Sequence, residues 1–222
     1  MMYLAAAGLI APVLFVALVV LQGAVNPDYD QVVMPISGLA AWPTGWIQNL
    51  NFYIFGVLMM GHGIALHRGI RSRSGAGLDL ALLLTSAVGA IVAGLVPMAR
   101  DANGTLIEPP GHVAGAIMVF LGAGLGLVVV SRRMSTDVRW RSVAGYTLSS
   151  GVAIVALFLL MAALAVPADG ALHAWFGLLQ RVVLAVWFPC IVVLSLRLVR
   201  LTGDAQDHAS TISGVVARQP KR

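Results

Sequence analysis

Apolar residues occupy the chain in six long runs that short polar segments separate. The runs cover residues 3–25, 46–66, 80–99, 112–130, 143–166 and 174–198. Each run holds about 20 residues or more, the length that a helix needs to cross the roughly 30 Å hydrocarbon core of a bilayer. The pattern therefore predicts an all-α polytopic membrane protein built as a bundle of six transmembrane helices.

Prolines mark the ends of these runs. Pro43 precedes the second run, Pro97 lies near the end of the third, Pro109 precedes the fourth and Pro167 follows the fifth. Proline lacks a backbone donor and clashes with the preceding turn, so it ends or kinks a helix. The first loop, residues 26–45, also contains apolar residues. We expect this loop to lie in the membrane interface or to dip back into the bundle.

Composition agrees with a protein whose solvent is lipid. Of the 222 residues, 59% are hydrophobic and 10% are charged, whereas a soluble domain carries about 25% charged residues. We predict a single transmembrane domain over residues 1–201 and a polar, disordered cytoplasmic tail over residues 202–222. The sole cysteine, Cys190, lies inside an apolar run, which indicates a small buried residue rather than a disulfide partner.

Lysine and arginine residues are concentrated in alternate connecting segments. Twelve of the 14 basic residues follow the second and fourth runs or lie at the end of the sixth run and after it. Because cytoplasmic loops carry an excess of these residues, the bias predicts a multi-pass membrane protein with both termini in the cytoplasm. This topology treats the first run as a retained helix rather than a signal peptide. The scattered basic residues do not indicate nucleic-acid binding.

The segments on the opposite side of the membrane carry acidic and other polar residues. Five of the nine acidic residues lie there, and His112 begins the fourth run at the same level. His173 and Gln180 are seven residues apart and so share one face of the sixth helix. We predict a ligand-binding cluster at the outer end of the bundle, with the candidates Ser37, Glu108, His112, His173, Gln180 and Arg181.

Arg181 is the candidate with the strictest physical requirements. It lies seven residues into the sixth run, roughly 10 Å deep at 1.5 Å per residue. Arginine does not release its proton, so the side chain needs a carboxylate, backbone carbonyls, a ligand anion or a path to the interface. Two hypotheses follow: an ion pair that joins the sixth helix to an outer-loop acid, or contact with an anion or lipid headgroup.

The outer cluster also admits a catalytic interpretation. Asp28, Asp30, Asp101, His112 and His173 are candidates for general acid–base catalysis or metal ligation in an enzyme of the hydrolase or transferase/cyclase type. Its substrate would be a lipid or prenyl compound of the outer leaflet. The two histidines are weak metal candidates, because they come from different runs and lack local ligand spacing. We therefore predict no metal and no cofactor.

Small and polar residues within the runs predict contacts between helices. Gly111, Gly115, Gly122 and Gly126 lie on nearby turns of the fourth run, and such spacing lets two helices approach closely. We interpret this pattern as packing within the chain. His62, which lies between two glycines, is predicted to form a hydrogen bond to a neighbouring helix.

Several short motifs together resemble a known family. An acidic residue precedes a PISGL segment after the first run, and a loop with proline and acidic residues leads to His112. Gly177, Gln180, Arg181 and Trp187 follow in the sixth run. These features are similar to those of the bacterial and archaeal membrane proteins grouped as domain of unknown function 998. The resemblance covers all six runs and leaves out the tail. It implies a six-helix protein of the inner (plasma) membrane, with no assigned activity.

Three functions are compatible with this sequence. The first is a non-enzymatic membrane protein whose outer cluster is structural or binds a lipid headgroup or other anionic small molecule, with membrane lipids as partners. The second is the lipid- or prenyl-directed enzyme, which we favour less. The third is a small transporter or transporter accessory; the absence of an internal repeat and the scarcity of charge near the midplane count against it. The oligomeric state is left open.

Overall fold

Six long helices make up most of the protein. The computed structural model describes residues 2–72 and 77–217, and the side chains of residues 3–72 and 77–203. All six helices are long and apolar enough to span a membrane, which confirms the predicted all-α architecture. The helices are α1 (Met2–Val25), α2 (Gly45–Gly69), α3 (Leu78–Leu95), α4 (Pro110–Thr136), α5 (Arg141–Leu164) and α6 (Phe176–Ala217).

The helix ends differ in places from the predicted ones. Helix α6 continues to Ala217, past the predicted start of the tail at residue 202, because residues 202–217 contain no proline that would stop it. The division into domain and tail stays a prediction, as does the cytoplasmic location of the termini. Four basic residues that enter the orientation argument lie outside the described residues: Arg73, Arg218, Lys221 and Arg222.

The helices form a closed ring in chain order. Each helix packs against the next one, α6 packs against α1, and α2 also contacts α6 across the ring. We call the end of the ring that carries residues 26–44, 96–109 and 165–175 the loop end. The opposite end, where α2 leads to α3 and α4 leads to α5, is called the connector end.

The first loop dips into the loop end of the ring, as the sequence predicts. A 3₁₀ helix covers Ile36–Ala41, and its residues Ile36, Ser37, Gly38 and Leu39 are buried. A second 3₁₀ turn, His173–Trp175, leads into α6. The first loop therefore contributes side chains to the interior of the bundle rather than only connecting two helices.

The predicted extension of the third span to residue 99 is wrong. Helix α3 ends at Leu95, because Val96 precedes Pro97 and the residue before a proline is disfavoured in helical geometry. The chain then forms a hairpin in which β1 (Ala99–Arg100) pairs antiparallel with β2 (Leu106–Ile107). The Asp101 carboxylate closes its turn by accepting hydrogen bonds from the backbone N–H groups of Asn103 and Thr105.

The glycines of α4 form its contact with α3. A Cβ atom added at Gly115 would lie 2.9 Å from the Gly89 carbonyl oxygen, and one added at Gly122 would lie 2.7 Å from the Ser86 nitrogen. Since both neighbours are backbone atoms, no side-chain rotation can make room. The glycine pattern thus serves packing within the chain, and it places the backbones of α3 and α4 in direct contact.

Helices α2 and α6 meet in the interior through a buried hydrogen bond. His62 Nδ1 lies 3.1 Å from Ser195 Oγ, in agreement with the predicted helix–helix contact of His62. Around this pair the core is closely filled, because Leu66, Leu194 and Leu198 are almost fully buried. The connector half of the ring is therefore closed.

A buried ion pair joins α3 and α4 at the connector end. The Arg133 guanidinium donates to the Asp79 carboxylate, and both side chains are buried. Arg133 also donates to the carbonyl oxygens of His67, Ile70 and Ser72, which satisfies the C-terminal end of α2. His67 Nδ1 lies 3.1 Å from the same carboxylate. From the sequence alone, Arg133 serves only as evidence for the orientation of the protein in the membrane, and Asp79 is not selected as a candidate for any role.

Asp137 gives the connector end a dependence on pH. Hydrogen bonds from Arg139 lower the pKa of its carboxyl from 3.8 to about 2, and the Arg71 N–H adds to the effect. A carboxyl whose pKa is lower in the folded state stabilises the fold above its unfolded pKa, and this stabilisation is lost as pH falls towards the folded pKa. The contribution of Asp137 is thus complete above about pH 4 and disappears near pH 2.

Replacing Asp137 with asparagine is expected to lower the free energy of unfolding by about 1 kcal/mol at pH 7. The difference between Asp137→Asn and the wild type should shrink between pH 4 and pH 2, which unfolding followed by tryptophan fluorescence at several pH values can measure. Asp28→Asn, at an exposed position, is the matched control. A difference that persists unchanged at pH 2 would contradict the assigned role of Asp137.

Candidate functional site

An apolar chamber lies inside the loop half of the ring. The cavity has a volume of about 210 Å³, and every one of the six helices contributes to its lining. All seven phenylalanines of the chain line this chamber, together with Trp187. The phenylalanines come from five helices or their ends: Phe15, Phe52, Phe55, Phe120, Phe158, Phe176 and Phe188.

The chamber opens sideways between α4 and the end of α5. Val113 and Ile117 of α4 line it and are 38% and 44% exposed, and Val166 beyond α5 is 47% exposed. Ala162 of α5 also lines it and is exposed. Val113, Ile117 and Ala162 belong to helices that are long and apolar enough to span a membrane, so the exposed part of the lining lies on the outer surface of those helices.

The polar lining of the chamber is confined to the loop end. Four polar side chains line it, and the remaining lining residues are apolar or aromatic. The chamber therefore has apolar walls and one polar rim, the arrangement that suits an amphiphilic ligand. We call these four residues the rim: Ser37, Glu108, His112 and Gln180.

His112 is held in one orientation by the end of α3. Its Nδ1 atom lies 2.9 Å from the Val96 carbonyl oxygen and 3.1 Å from that of Ala93. Both oxygens can only accept, so Nδ1 carries the proton and caps the C-terminal turn of α3. His112 is 2% exposed, and its ring packs edge-on against Phe52. Its other polar atom, Nε2, is the one that remains for a ligand.

Two further rim residues hold the first loop in place. The Oε1 atom of Gln180 accepts a 2.6 Å hydrogen bond from the Ile36 N–H, at the start of the buried 3₁₀ helix. The hydroxyl of Ser37 donates to the Met98 sulfur at 3.2 Å. These bonds join the first loop to α6 and to the segment after α3, which fixes the rim between three separate parts of the chain.

Arg181 lies beside the chamber but does not line it. Its Nη1 atom donates to the Gly177 carbonyl oxygen at 2.9 Å, and its Nη2 atom donates to the Tyr29 hydroxyl at 2.9 Å. No carboxylate lies within 4 Å of it in the part of the chain that the structure describes. The hypothesis of an ion pair with a loop acid is therefore wrong, because carbonyls and a phenol satisfy the guanidinium instead.

Tyr29 connects Arg181 to the first loop. Its hydroxyl donates to the Pro35 carbonyl oxygen at 2.9 Å, and burial raises the pKa of the phenol above 10 despite the opposing effect of Arg181. The phenol thus stays protonated at neutral pH. Trp42 packs edge-on against the Tyr29 ring, and the Arg100 guanidinium lies 3.6 Å from the centre of the Trp42 ring. Both guanidiniums of the loop end therefore contact aromatic rings.

The sequence identifies a family for this chain. A family model described as a protein of unknown function (DUF998) matches residues 9–197. The chain belongs to the DUF998 family. The match covers 189 residues and includes every residue that lines the chamber. Searches of curated proteins and of solved structures found no match.

The remaining residues that the sequence proposed for a site lie in the loops of this DUF998 chain and do not line the chamber. Asp30 accepts hydrogen bonds from the N–H groups of Val32 and Val33, Asp101 closes the hairpin turn, and Asp28 is exposed. His173 Nδ1 lies 2.9 Å from the Ala165 carbonyl oxygen at the end of α5. Of the five catalytic candidates, His112 alone lines the chamber. The structure thus divides the predicted cluster into a rim and a set of loop-stabilising residues.

The two histidines of the predicted cluster do not form one site. His112 caps α3, whereas His173 caps α5 and does not line the chamber. Within residues 3–72 and 77–203, no group of three or more His, Cys, Asp or Glu side chains could hold a metal ion. The prediction that the DUF998 chain needs no cofactor stays a prediction.

None of the site residues predicted from the sequence is one of the aromatic residues that form the walls of the chamber. Aromatic residues of membrane proteins are enriched at the two interfaces, where their rings meet the headgroups. Phe15, Phe120 and Phe188 instead lie well inside their runs. That placement is the signal in the sequence, although it does not show that the rings face one cavity.

Proposed function

We propose that this DUF998 protein binds a membrane amphiphile in the chamber, with the apolar chain between the phenylalanines and the head at the rim. The observation that carries this proposal is that all seven phenylalanines of the chain surround one open space. Helices in membranes normally pack through small residues, as α3 and α4 do here. Large aromatic side chains that surround a cavity are typical of a ligand site.

The size of the chamber supports an occupant. An empty cavity costs about 24 cal/mol per Å³ in measured core variants. For a volume of about 210 Å³, this corresponds to a cost of roughly 5 kcal/mol, similar to the whole stability of many domains. Since the opening faces the bilayer, the molecules with direct access are lipids, and an apolar chain in the chamber would offset this cost.

In the sequence, Arg181 suggests a ligand with an anionic head. The residues of the rim favour a head that is not an anion. Glu108 lines the chamber, whereas Arg181 and Arg100 do not. A carboxylate disfavours a second anion nearby, and both guanidiniums already contact protein groups. We therefore place the head of the ligand at Glu108, His112 and Gln180, and we do not propose an anion site at Arg181.

The orientation of the protein determines which leaflet supplies the ligand. The bias of lysine and arginine supports a cytoplasmic location of both termini and of the connector end. In this orientation, the loop end and the side opening of the chamber lie in the outer leaflet.

The orientation can be tested by labelling single-cysteine variants of loop residues with a thiol reagent that does not cross membranes. If the loop end is not labelled in intact cells, the proposed orientation is overturned.

A bulky residue in the chamber tests the proposal directly. Ala116 lines the chamber on α4, whereas Ala114 lies two residues away, is exposed and does not line it. We expect wild-type protein and Ala114→Trp to retain bound lipid after purification in a mild detergent, and Ala116→Trp to lose at least about tenfold of it, as a steric block of the site requires. Native mass spectrometry measures the bound lipid.

A second pair of variants guards against a folding defect. Ala162 lines the chamber on α5, and its neighbour Ala163 is exposed without lining it. Ala162→Trp should lose the same lipid as Ala116→Trp, and Ala163→Trp should keep it. Equal lipid retention in all four variants, at unchanged thermal stability, would refute the chamber as a lipid site.

A further inference from the structure

The hydrogen-bonding groups of the rim carry information about the head of the ligand. His112 uses Nδ1 to donate to the Ala93 and Val96 carbonyls. In the neutral imidazole, the second nitrogen is then an acceptor. Nε2 has no hydrogen-bond partner among the side chains and backbone that the structure describes, so His112 presents one fixed acceptor at the rim.

Glu108 presents a second acceptor. Its side chain is half-buried, lines the chamber, and forms no hydrogen bond or ion pair within the described ranges. An ionised carboxylate can only accept hydrogen bonds. The carboxylate and the imidazole Nε2 can therefore both accept a hydrogen bond from a molecule that occupies the chamber.

The other two rim residues supply at most one donor. The Oε1 atom of Gln180 is already bonded to the Ile36 N–H, which leaves the amide NH₂ of Gln180 for a ligand. The Ser37 hydroxyl proton is directed to the Met98 sulfur. The rim thus offers the acceptors of Glu108 and His112 and one amide NH₂ group as a donor, while the Ser37 oxygen can also accept.

We infer that the head of the bound amphiphile is a hydrogen-bond donor, a hydroxyl or a primary amine, rather than a phosphate ester. A hydroxyl donates to His112 Nε2 or to Glu108 and accepts from the Gln180 amide. A phosphate monoester brings mainly acceptors to a rim that has two acceptors already, and it brings a charge of the same sign as Glu108. This inference rests on the proposed function, because it assigns the ligand of the same chamber.

Four probes with one apolar chain separate these head chemistries. Farnesol, farnesylamine, farnesyl methyl ether and farnesyl phosphate are titrated against wild-type protein in nanodiscs of zwitterionic lipid, and bound probe is counted by native mass spectrometry. We expect farnesol or farnesylamine to bind at least about tenfold more tightly than the ether, the factor that one hydrogen bond to a charged or fixed acceptor supplies. We expect the phosphate to bind most weakly.

The outcomes distinguish the inference from the proposed function. If the ether binds as tightly as the alcohol and the amine, or if the phosphate binds most tightly, the assignment of a donor head is overturned while the chamber remains a lipid site. If no probe binds wild-type protein better than it binds Ala116→Trp, the chamber itself is not the site and both proposals fail.

Two rim variants test the assigned acceptors. His112→Asn keeps an amide N–H that can donate to the Ala93 and Val96 carbonyls but lacks the second ring nitrogen, and Glu108→Gln keeps size while it removes the charge. Each should weaken binding of the alcohol or the amine about tenfold and leave the ether unchanged. Unchanged alcohol and amine affinities in both variants would overturn the inference. Loss of ether binding as well would indicate a general change of the chamber, which also contradicts it.

Discussion

Replacement of Arg133 by methionine is expected to cost the largest amount of stability of any substitution considered for this protein. Arg133 and Asp79 are both buried and form an ion pair between α4 and α3. Removal of one partner of a buried pair leaves the other charge without compensation, which costs about 3–5 kcal/mol. The carbonyl oxygens of His67, Ile70 and Ser72 would lose their donor at the same time.

The protein contains its own reporter for this measurement. Cys190 is the only cysteine and is fully buried, so a thiol-reactive dye labels it only when the bundle opens. Dye labelling during denaturation by increasing SDS in mixed micelles then gives the free energy of unfolding. Arg132→Met is the matched control, because Arg132 is adjacent but exposed; its change should stay within about 0.5 kcal/mol. Equal stability of the two variants would contradict the role of Arg133.

A double variant separates the charge from the other contacts of Arg133. In Asp79→Leu with Arg133→Met, both charges are absent, and replacement of a buried pair by apolar residues is often neutral or stabilising. We expect the double variant to recover most of the loss seen in Arg133→Met. A double variant as unstable as the single one would indicate that the carbonyl contacts of Arg133, rather than the charge on Asp79, account for the loss.

The second large effect is expected at the contact between α3 and α4. A side chain at Gly115 meets backbone atoms of Gly89 and Ala93 at 2.9 Å, so Gly115→Leu has to push the two helices apart. Overpacking of this kind costs about 1–3 kcal/mol and occasionally more; we expect about 3 kcal/mol, because the obstacle is backbone. The same cysteine-labelling experiment measures the loss.

A glycine elsewhere in the bundle provides the control for Gly115. At Gly145 in α5, an added Cβ meets nothing within 4 Å, and Gly145→Leu should change stability by no more than about 0.5 kcal/mol. The carbonyls at the end of α3 position the His112 ring of α4, so Gly115→Leu should reduce lipid retention as well. Equal stability of the two leucine variants would show that α3 and α4 tolerate separation.

The length of the apolar runs is sufficient to predict the six spans. In lipid, a backbone without internal hydrogen bonds is too costly, so a long apolar run has few alternatives to a helix. The ends of the helices are harder to predict. The run of residues 80–99 contains the end of α3 and the first residue of the hairpin. The boundary is hard to see because a two-residue strand has no periodicity and apolar composition continues past Pro97.

The site was predicted only in part. Ser37, Glu108, His112 and Gln180 are polar residues near apolar runs, and the structure gathers them at one rim. The phenylalanines are apolar like their neighbours, so their position around one space depends on how the helices rotate against each other. Asp79 was missed for a related reason. It lies at the edge of a run, where a buried acid and an ordinary boundary residue have the same appearance in a sequence.

The closed connector half has a consequence for the transfer of lipids across a membrane. The chamber opens sideways in the loop half, while the His62–Ser195 hydrogen bond and the buried leucines around it fill the interior towards the connector end in the part of the chain that the structure describes. A lipid that enters the chamber must therefore return to the leaflet from which it came. In the proposed function, the protein can sequester or present a lipid on one side of the membrane, but it offers no path for flipping between leaflets.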